Sequence, residues 1–145
     1  MLKVWTIGYE RLLPEALVSE LQHAGIRRVL DVRYRPQSRR PGMSKTRLGQ
    51  LLGDHGIAYE HRRALGTPAD LRFLFHSGRI AEGAEAFRAH VEIHHGEDLD
   101  RLAAELEHAP PTALLCLEAD PAVCHRRVLT DLLQLRQPNL TVIDI

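Results

Sequence analysis

Two cysteines, a histidine and an arginine stand close together late in the sequence, and the segment Cys124-His125-Arg126 contains three of them. A thiol beside an imidazole is the pairing that nucleophilic enzymes use, and a nearby arginine or helix N-terminus favours the thiolate. The segment therefore predicts Cys124 as a nucleophile, with His125 as base and Arg126 holding an anionic group. The competing interpretation is a packed Cys124, because a free cysteine is often a small buried apolar side chain. Cys116 lies inside an apolar run and is interpreted as core.

The segment from Arg33 to Ser44 has a second kind of chemistry. It contains four arginines, two prolines, two serines and one glycine, and no acid. Guanidinium groups form paired hydrogen bonds to phosphate or carboxylate oxygens, and a helix that starts at Ser44 adds free backbone N–H groups. The segment predicts a loop that binds phosphate or another polyanion, against the alternative of a solvated loop paired to acids elsewhere. The candidate anion-binding residues are Arg33, Ser38, Arg39, Arg40, Lys45 and, from the later segment, Arg126.

Carboxylates and tyrosines accompany these basic residues. Asp31 and Glu118 each follow an apolar run, and they are candidates for a general acid and base. Orientation of the arginines is the favoured role, because a carboxylate among arginines stays ionised and makes a poor acid. Tyr9, Tyr34 and Tyr59 are candidates for stacking on nucleic-acid bases.

Histidines offer little support for a metal site. One cysteine next to one histidine is too small a set for zinc, so the sequence predicts no metal and no cofactor. His90 and His94 lie four residues apart on one predicted helix face, followed by His95. They are a conceivable transition-metal pair, but histidines on a solvated acidic helix are the favoured interpretation.

Strands and helices alternate along the sequence. Apolar runs predict strands at residues 2–7, 28–32, 57–60, 112–117 and 140–145. Helices are predicted at about 12–24, 44–55, 68–76, 81–93, 97–108 and 120–136, with Ser44, Thr67 and Asp120 as N-terminal caps. The pattern predicts one α/β domain over residues 1–145, a mostly parallel twisted sheet of four to five strands with helices on both faces. Ligands of such sheets bind beyond the carboxyl ends of the strands, where these candidate residues would converge.

Composition and charge set limits on the class of protein. The 145 residues are 44% hydrophobic and 26% charged, and their formal net charge is zero. No apolar run approaches the roughly 20 residues that span a bilayer, so no membrane partner is predicted, and two cysteines predict a reducing, cytoplasmic setting. Between residues 27 and 47 eight basic residues face one acid, whereas residues 82–107 contain eight acids and two arginines. This asymmetry predicts one anion-attracting face and one solvated acidic face.

The motifs, taken in order, resemble the family called domain of unknown function 488. They are Thr6-Ile-Gly-Tyr9, Asp31-Val-Arg33, Pro36-Gln-Ser-Arg-Arg40, Gly56-Ile-Ala-Tyr59, Leu65-Gly66, Leu115-Cys-Leu-Glu118 and Cys124-His-Arg126. The resemblance implies a small α/β domain and supplies no reaction. One departure is Thr67, where the family often has a second glycine. Because glycine and threonine favour different backbone conformations, this loop is expected to differ from that of the family.

Three functional hypotheses follow from the residues. The leading one is a domain that binds a phosphate-bearing ligand, a nucleotide or a nucleic acid, at the strand ends. The second is a thiol-dependent enzyme that uses Cys124. The third is a non-catalytic protein-interaction domain that uses its acidic and basic faces, and the sequence does not determine an oligomeric state.

Overall fold

The computed structural model describes residues 2–145 and contains one five-stranded sheet. The strands are β1 (Lys3–Gly8), β2 (Arg28–Asp31), β3 (Ala58–His61), β4 (Thr112–Cys116) and β5 (Thr141–Asp144). Their order in the sheet is β3-β2-β4-β1-β5, and every neighbouring pair is parallel. The predicted α/β class is confirmed, and the carboxyl ends of all five strands lie at one edge.

Six helices cover the sheet. They are α1 (Pro14–His23), α2 (Lys45–Asp54), α3 (Ala69–His76), α4 (Ile80–His94), α5 (Gly96–Glu105) and α6 (His125–Arg136). Side chains of α1 and α2 pack on one face with Val29, Ala113 and Leu115, while α3 to α6 pack on the other with Leu30 and Leu114. The central strand β4 is buried at all five positions. This explains its continuous apolar sequence, because a strand covered on both faces has no solvated side.

The start of α6 differs from the prediction. A helix from Asp120 to Arg136 was expected, but Asp120 caps a separate 3-10 turn, Pro121–Val123, by accepting a 2.9 Å hydrogen bond from the backbone N–H of Ala122. The chain is extended at Cys124 before α6 begins at His125. Cys124 therefore occupies the position just before the helix, rather than a place within its first turn.

The predicted caps at Ser44 and Thr67 also need correction. Ser44 precedes α2 as expected, but its hydroxyl donates to the carbonyl oxygen of Ser38 and caps no helix N–H. Pro68, and not Thr67, directly precedes α3. Among the described residues, no helix is long and apolar enough to cross a bilayer.

A cleft at the carboxyl edge of the sheet

A cleft of about 100 Å³ opens at the carboxyl edge of the sheet, and we call it the strand-end cleft. It is lined by Tyr9, Arg33, Tyr34, Arg35, Gln37, Thr67, Arg72, Phe75, His76, Cys116, Leu117, Glu118, Cys124 and His125. At roughly 30 Å³ for each water, this volume matches about three water molecules. The cleft has room for one small polar group.

On the side of α1 and α2, the cleft is bounded by a buried ion pair. Arg33 donates to both carboxylate oxygens of Asp31, through Nε at 2.8 Å and Nη2 at 2.7 Å. Its Nη1 donates to the Met43 carbonyl oxygen at 2.8 Å, and its guanidinium lies over the Tyr9 ring. Burial acts to lower the pKa of Arg33, but Asp31 outweighs it and the pKa is raised. Arg33 is therefore a fixed partner of Asp31, and most of its N–H groups are already bonded within the fold.

Asp31 is saturated by its neighbours. Besides Arg33, it accepts a 2.5 Å hydrogen bond from the Tyr59 hydroxyl, and its side chain is fully buried. Burial, reinforced by Asp31, raises the pKa of Tyr59. These contacts match the expected orienting role of Asp31 rather than that of a general acid.

On the side of α3 to α6, the cleft is bounded by two thiols and an imidazole. The ligand-type atoms of Cys116, Cys124 and His125 lie within 4.8 Å of one another, and all three residues are buried. Cys124 Sγ is 3.7 Å from His125 Nδ1, and His125 Nε2 lies 2.8 Å from the carbonyl oxygen of Val32. Burial, above all, raises the pKa of Cys124 well above its usual value. Arg126 acts to lower this pKa, but burial, together with the neighbouring Cys116 and Glu118, outweighs it.

Arg126 lies beneath this thiol cluster and is completely buried. Its Nη1 lies 2.8 Å from Cys116 Sγ and 2.5 Å from the Glu118 carbonyl oxygen, and its Nη2 donates to the Ala119 carbonyl oxygen at 3.2 Å. The loop after β4 passes so close to β1 that residue 8 must be glycine, since a Cβ there would lie 1.7 Å from the Glu118 carbonyl oxygen. Arg126 therefore organises the loop after β4 and does not face the cleft.

Glu118 marks the rim of the cleft near α3. Its Oε1 lies 3.5 Å from His76 Nε2, and its Oε2 lies 3.5 Å from Cys116 Sγ. Burial acts to raise the pKa of Glu118, but hydrogen bonds, first from its own backbone N–H, leave it below the usual value. The carboxyl group is thus ionised at neutral pH.

Three polar groups in the cleft have no partner. Among the described residues, none accepts a hydrogen bond from the guanidinium groups of Arg35 and Arg72, which are both exposed. Thr67 is 4% exposed, and its Oγ1 is buried without a hydrogen-bond partner. A buried hydroxyl without a partner costs free energy.

The remaining predicted anion-binding residues lie outside the strand-end cleft. Ser38 stabilises its own loop by exchanging hydrogen bonds with Ser44. Arg40 is exposed but anchored, with Nη1 donating to the carbonyl oxygen of Tyr9 at 2.8 Å. Arg39 and Lys45 are exposed. The predicted anion-binding loop therefore contains two kinds of arginine. Arg33 and Arg40 are anchored to the fold, whereas Arg39 lies on the surface.

The three tyrosines differ in their availability to a base. Tyr9 is 2% exposed and is covered by Arg33. Tyr59 is half-buried and bonded to Asp31. Tyr34 lines the cleft, with the guanidinium of Arg63 over its ring at 4.4 Å and donating to its hydroxyl.

Sequence reasoning missed the residues that complete the cleft, chiefly Arg72, His76 and Thr67. The four-residue spacing of Arg72 and His76, on a predicted helix, places them on one face and was an available signal. Nothing in the sequence indicated that this helix borders the strand ends. The rings of His90, His94 and His95 gather at the end of α4, with centroids 5.2 to 6.4 Å apart. They do not line the cleft.

The family relationship covers most of the elements that form the cleft. Residues 14–133 match the family described as Domain of unknown function DUF488. The chain belongs to the DUF488 family. The DUF488 match extends from α1 into α6 and includes the Arg33 loop and the Cys124 segment, which confirms the predicted resemblance. No curated protein and no solved structure matches the chain.

Proposed function

We propose that the strand-end cleft binds a phosphate group of a nucleotide or nucleic acid, through Arg35, Arg72 and Thr67. The observation that carries this proposal is the pair of guanidinium groups, those of Arg35 and Arg72, that line the cleft with no acceptor among the described residues. Thr67 lines the cleft beside them, and its buried hydroxyl has no hydrogen-bond partner. Guanidinium and hydroxyl donors suit phosphate oxygens, which act as acceptors. A site at the carboxyl ends of parallel strands also agrees with where such sheets bind ligands.

Charge in the cleft supports an anionic ligand. Asp31 neutralises Arg33, so the charges left to the ligand are those of Arg35 and Arg72, opposed by Glu118. Glu118 has His76 beside it, and that histidine can offset its charge when protonated. The two charges of Arg35 and Arg72 exceed the single charge of Glu118, so the cleft has a net positive charge.

The size of the cleft favours a phosphate over a whole nucleotide. A volume of about 100 Å³ takes one small group, so the sugar and base would lie outside it, near Tyr34. The exposed Arg39, in the loop between β2 and α2, and the exposed Lys45, at the start of α2, would then meet further phosphates of a longer ligand. The proposal therefore favours an oligonucleotide, held by one inner phosphate and several outer ones.

The test is fluorescence anisotropy with labelled single- and double-stranded oligonucleotides over a salt series. Binding should weaken with salt, and Arg35→Ala/Arg72→Ala should reduce the slope of log K against log salt by about 2, roughly 1 for each lost phosphate contact. The charge-matched control is Arg27→Ala/Arg101→Ala, which removes two exposed arginines that do not line the cleft. Equal slopes for the two double variants, or no binding of any phosphate compound at low salt, would reject the proposal.

Thiol chemistry at Cys124 is the second candidate. It is favoured by the 3.7 Å distance from Cys124 Sγ to His125 Nδ1 in a wall of the same cleft. It is opposed by burial, which raises the pKa of Cys124 and disfavours the thiolate. Alkylation of Cys124 at pH 6 faster than that of a free thiol would support an enzyme, whereas slower alkylation would leave the anion-binding function preferred.

A further inference from the structure

The thiol cluster is built as a set of metal ligands, and nothing in the phosphate-binding function uses it. Cys116 comes from the end of β4, whereas Cys124 and His125 come from the start of α6, so the fold joins two separate segments. Among the described residues, this is the only group of three potential ligand atoms within 4.8 Å of one another. We propose that Cys116, Cys124 and His125 bind one zinc-class divalent ion, with Glu118 as the fourth ligand.

The distances suit a tetrahedral site. Zinc lies about 2.3 Å from sulfur and about 2.0–2.1 Å from imidazole nitrogen, so two ligand atoms on one tetrahedral ion are about 3.6–3.8 Å apart. The distance from Cys124 Sγ to His125 Nδ1 is 3.7 Å. Glu118 Oε2 lies slightly closer, at 3.5 Å from Cys116 Sγ. The ligand atoms of Cys116, Cys124 and His125 already lie within 4.8 Å of one another, and Glu118 approaches this group beside Cys116.

The hydrogen bonding of His125 determines which ring nitrogen is free to bind a metal. Nε2 lies 2.8 Å from the Val32 carbonyl oxygen, which can only accept, so Nε2 carries the hydrogen. Nδ1 is then left with its lone pair directed to the side of Cys124. Metal-bound histidines commonly donate their other ring N–H to a carbonyl or carboxylate in this way. Phe87, edge-on to the ring at 5.2 Å, further restricts its orientation.

The charges favour a divalent ion. Two thiolates and the Glu118 carboxylate supply three negative charges, which a divalent ion and the buried Arg126 balance with three positive charges. Neutrality matters because a buried net charge is costly. A monovalent copper ion would leave one negative charge uncompensated, and thiolate with imidazole ligands selects against magnesium and calcium. Arg126 Nη1, 2.8 Å from Cys116 Sγ, also stabilises the thiolate that a metal requires.

Metal content and cobalt spectroscopy test the site in the full chain, purified untagged under reducing conditions. We expect one equivalent of zinc, and Co²⁺ added to chelator-treated protein should give a thiolate charge-transfer band with the intense visible bands of a tetrahedral ion. The chain has two cysteines, so a thiolate band reports on this cluster alone. Failure of the metal-free protein to take up equimolar Zn²⁺ or Co²⁺, or a cobalt spectrum without a thiolate band, would overturn the proposal.

Two variants identify the ligands. Glu118→Ala should weaken zinc binding at least ten-fold and keep the thiolate band, since that band arises from the sulfurs. The matched control is His90→Ala/His94→Ala/His95→Ala, which removes the other group of neighbouring histidines and should leave affinity and spectrum unchanged. Loss of metal binding in this triple variant would overturn the site. Neither measurement depends on oligonucleotide binding, so failure here and failure of the proposed function are distinguishable.

Discussion

Arg126 Nη1 lies 2.8 Å from the sulfur of Cys116, and both side chains are buried. The guanidinium also donates to the carbonyl oxygens of Glu118 and Ala119, so one side chain links β4 to the loop that follows it. Its Nε has no partner among the described residues. The contacts hold the positive charge of Arg126 next to the thiols. Substitution of Arg126 should therefore disturb both the thiols and the loop after β4.

Arg126→Met should destabilise the protein by about 2–4 kcal/mol, because two carbonyl oxygens lose their donors inside the fold. Arg127→Met is the control, since the adjacent Arg127 is exposed and only 3.5 Å from Asp144, a pair worth less than about 1 kcal/mol. Chemical denaturation gives both free energies of unfolding. Similar losses in the two variants would contradict the structural role of Arg126.

Gly8→Ala should cost about 3 kcal/mol, because the new methyl group would lie 1.7 Å from the Glu118 carbonyl oxygen and force β1 and the β4 loop apart. Gly53→Ala is the matched control in α2, where a Cβ meets nothing within 4 Å. There the exchange should stabilise by about 0.5–1 kcal/mol through helix propensity. Thermal unfolding of the two variants should therefore shift in opposite directions.

Glu105→Gln should lower the free energy of unfolding by about 1–2 kcal/mol at pH 7 and make it depend less on pH in the acidic range. Hydrogen bonds from Arg62, above all, and from Arg28 lower the pKa of Glu105 from 4.5 to about 2. A lowered pKa stabilises the fold above the ordinary value, and that stabilisation disappears as the pH falls from about 4.5 toward 2. The difference in unfolding free energy between the wild type and the variant should therefore be smaller at pH 3 than at pH 7. Glu82→Gln, in an exposed pair with Arg79, should change little at either pH.

Thr67→Val should separate ligand binding from stability. The Thr67 hydroxyl has no hydrogen-bond partner, so its removal should leave the unfolding free energy unchanged or raise it by about 1 kcal/mol. Phosphate-ligand affinity should fall about five-fold, the equivalent of about 1 kcal/mol. In contrast, Thr130→Val removes a 3.0 Å hydrogen bond to the Arg127 carbonyl oxygen and should destabilise by about 1 kcal/mol with affinity unchanged. A Thr67 variant that binds as well as the wild type would remove this residue from the site.

The sequence was a good guide to elements and a poorer guide to how side chains are used. Apolar runs and helical spacing located all five strands and six helices to within a few residues, because burial on one or two faces dictates those patterns. Arg33 and Arg126 were recognised as important but were assigned to a ligand. The pairing of Arg33 with Asp31 agrees with the orienting role expected for Asp31, which lies two residues away. The contact of Arg126 with Cys116 depends on the conformation of the loop after β4, which local patterns do not encode.

Long-range placement limited the prediction of the cleft. Arg72 is on a helix whose neighbours depend on how the chain returns from β3 to β4. The connection that follows β4 turns back at Pro121–Val123 and so brings Cys116 to Cys124 and His125. The sequence predicted a helix from Asp120 there, and the conformation of that turn is what local patterns did not indicate.

The strand order also has a consequence for how the protein is made. β1 is synthesised before every other strand of the sheet, yet residues 9–111 separate it from β4, the first of its two neighbours to follow. On the ribosome, β1 must wait as an unpaired apolar segment until Thr112–Cys116 has emerged. Sheets that depend on such distant pairings fold slowly, and they expose aggregation-prone segments meanwhile. The nascent chain should therefore gain from a chaperone that shields its first strand.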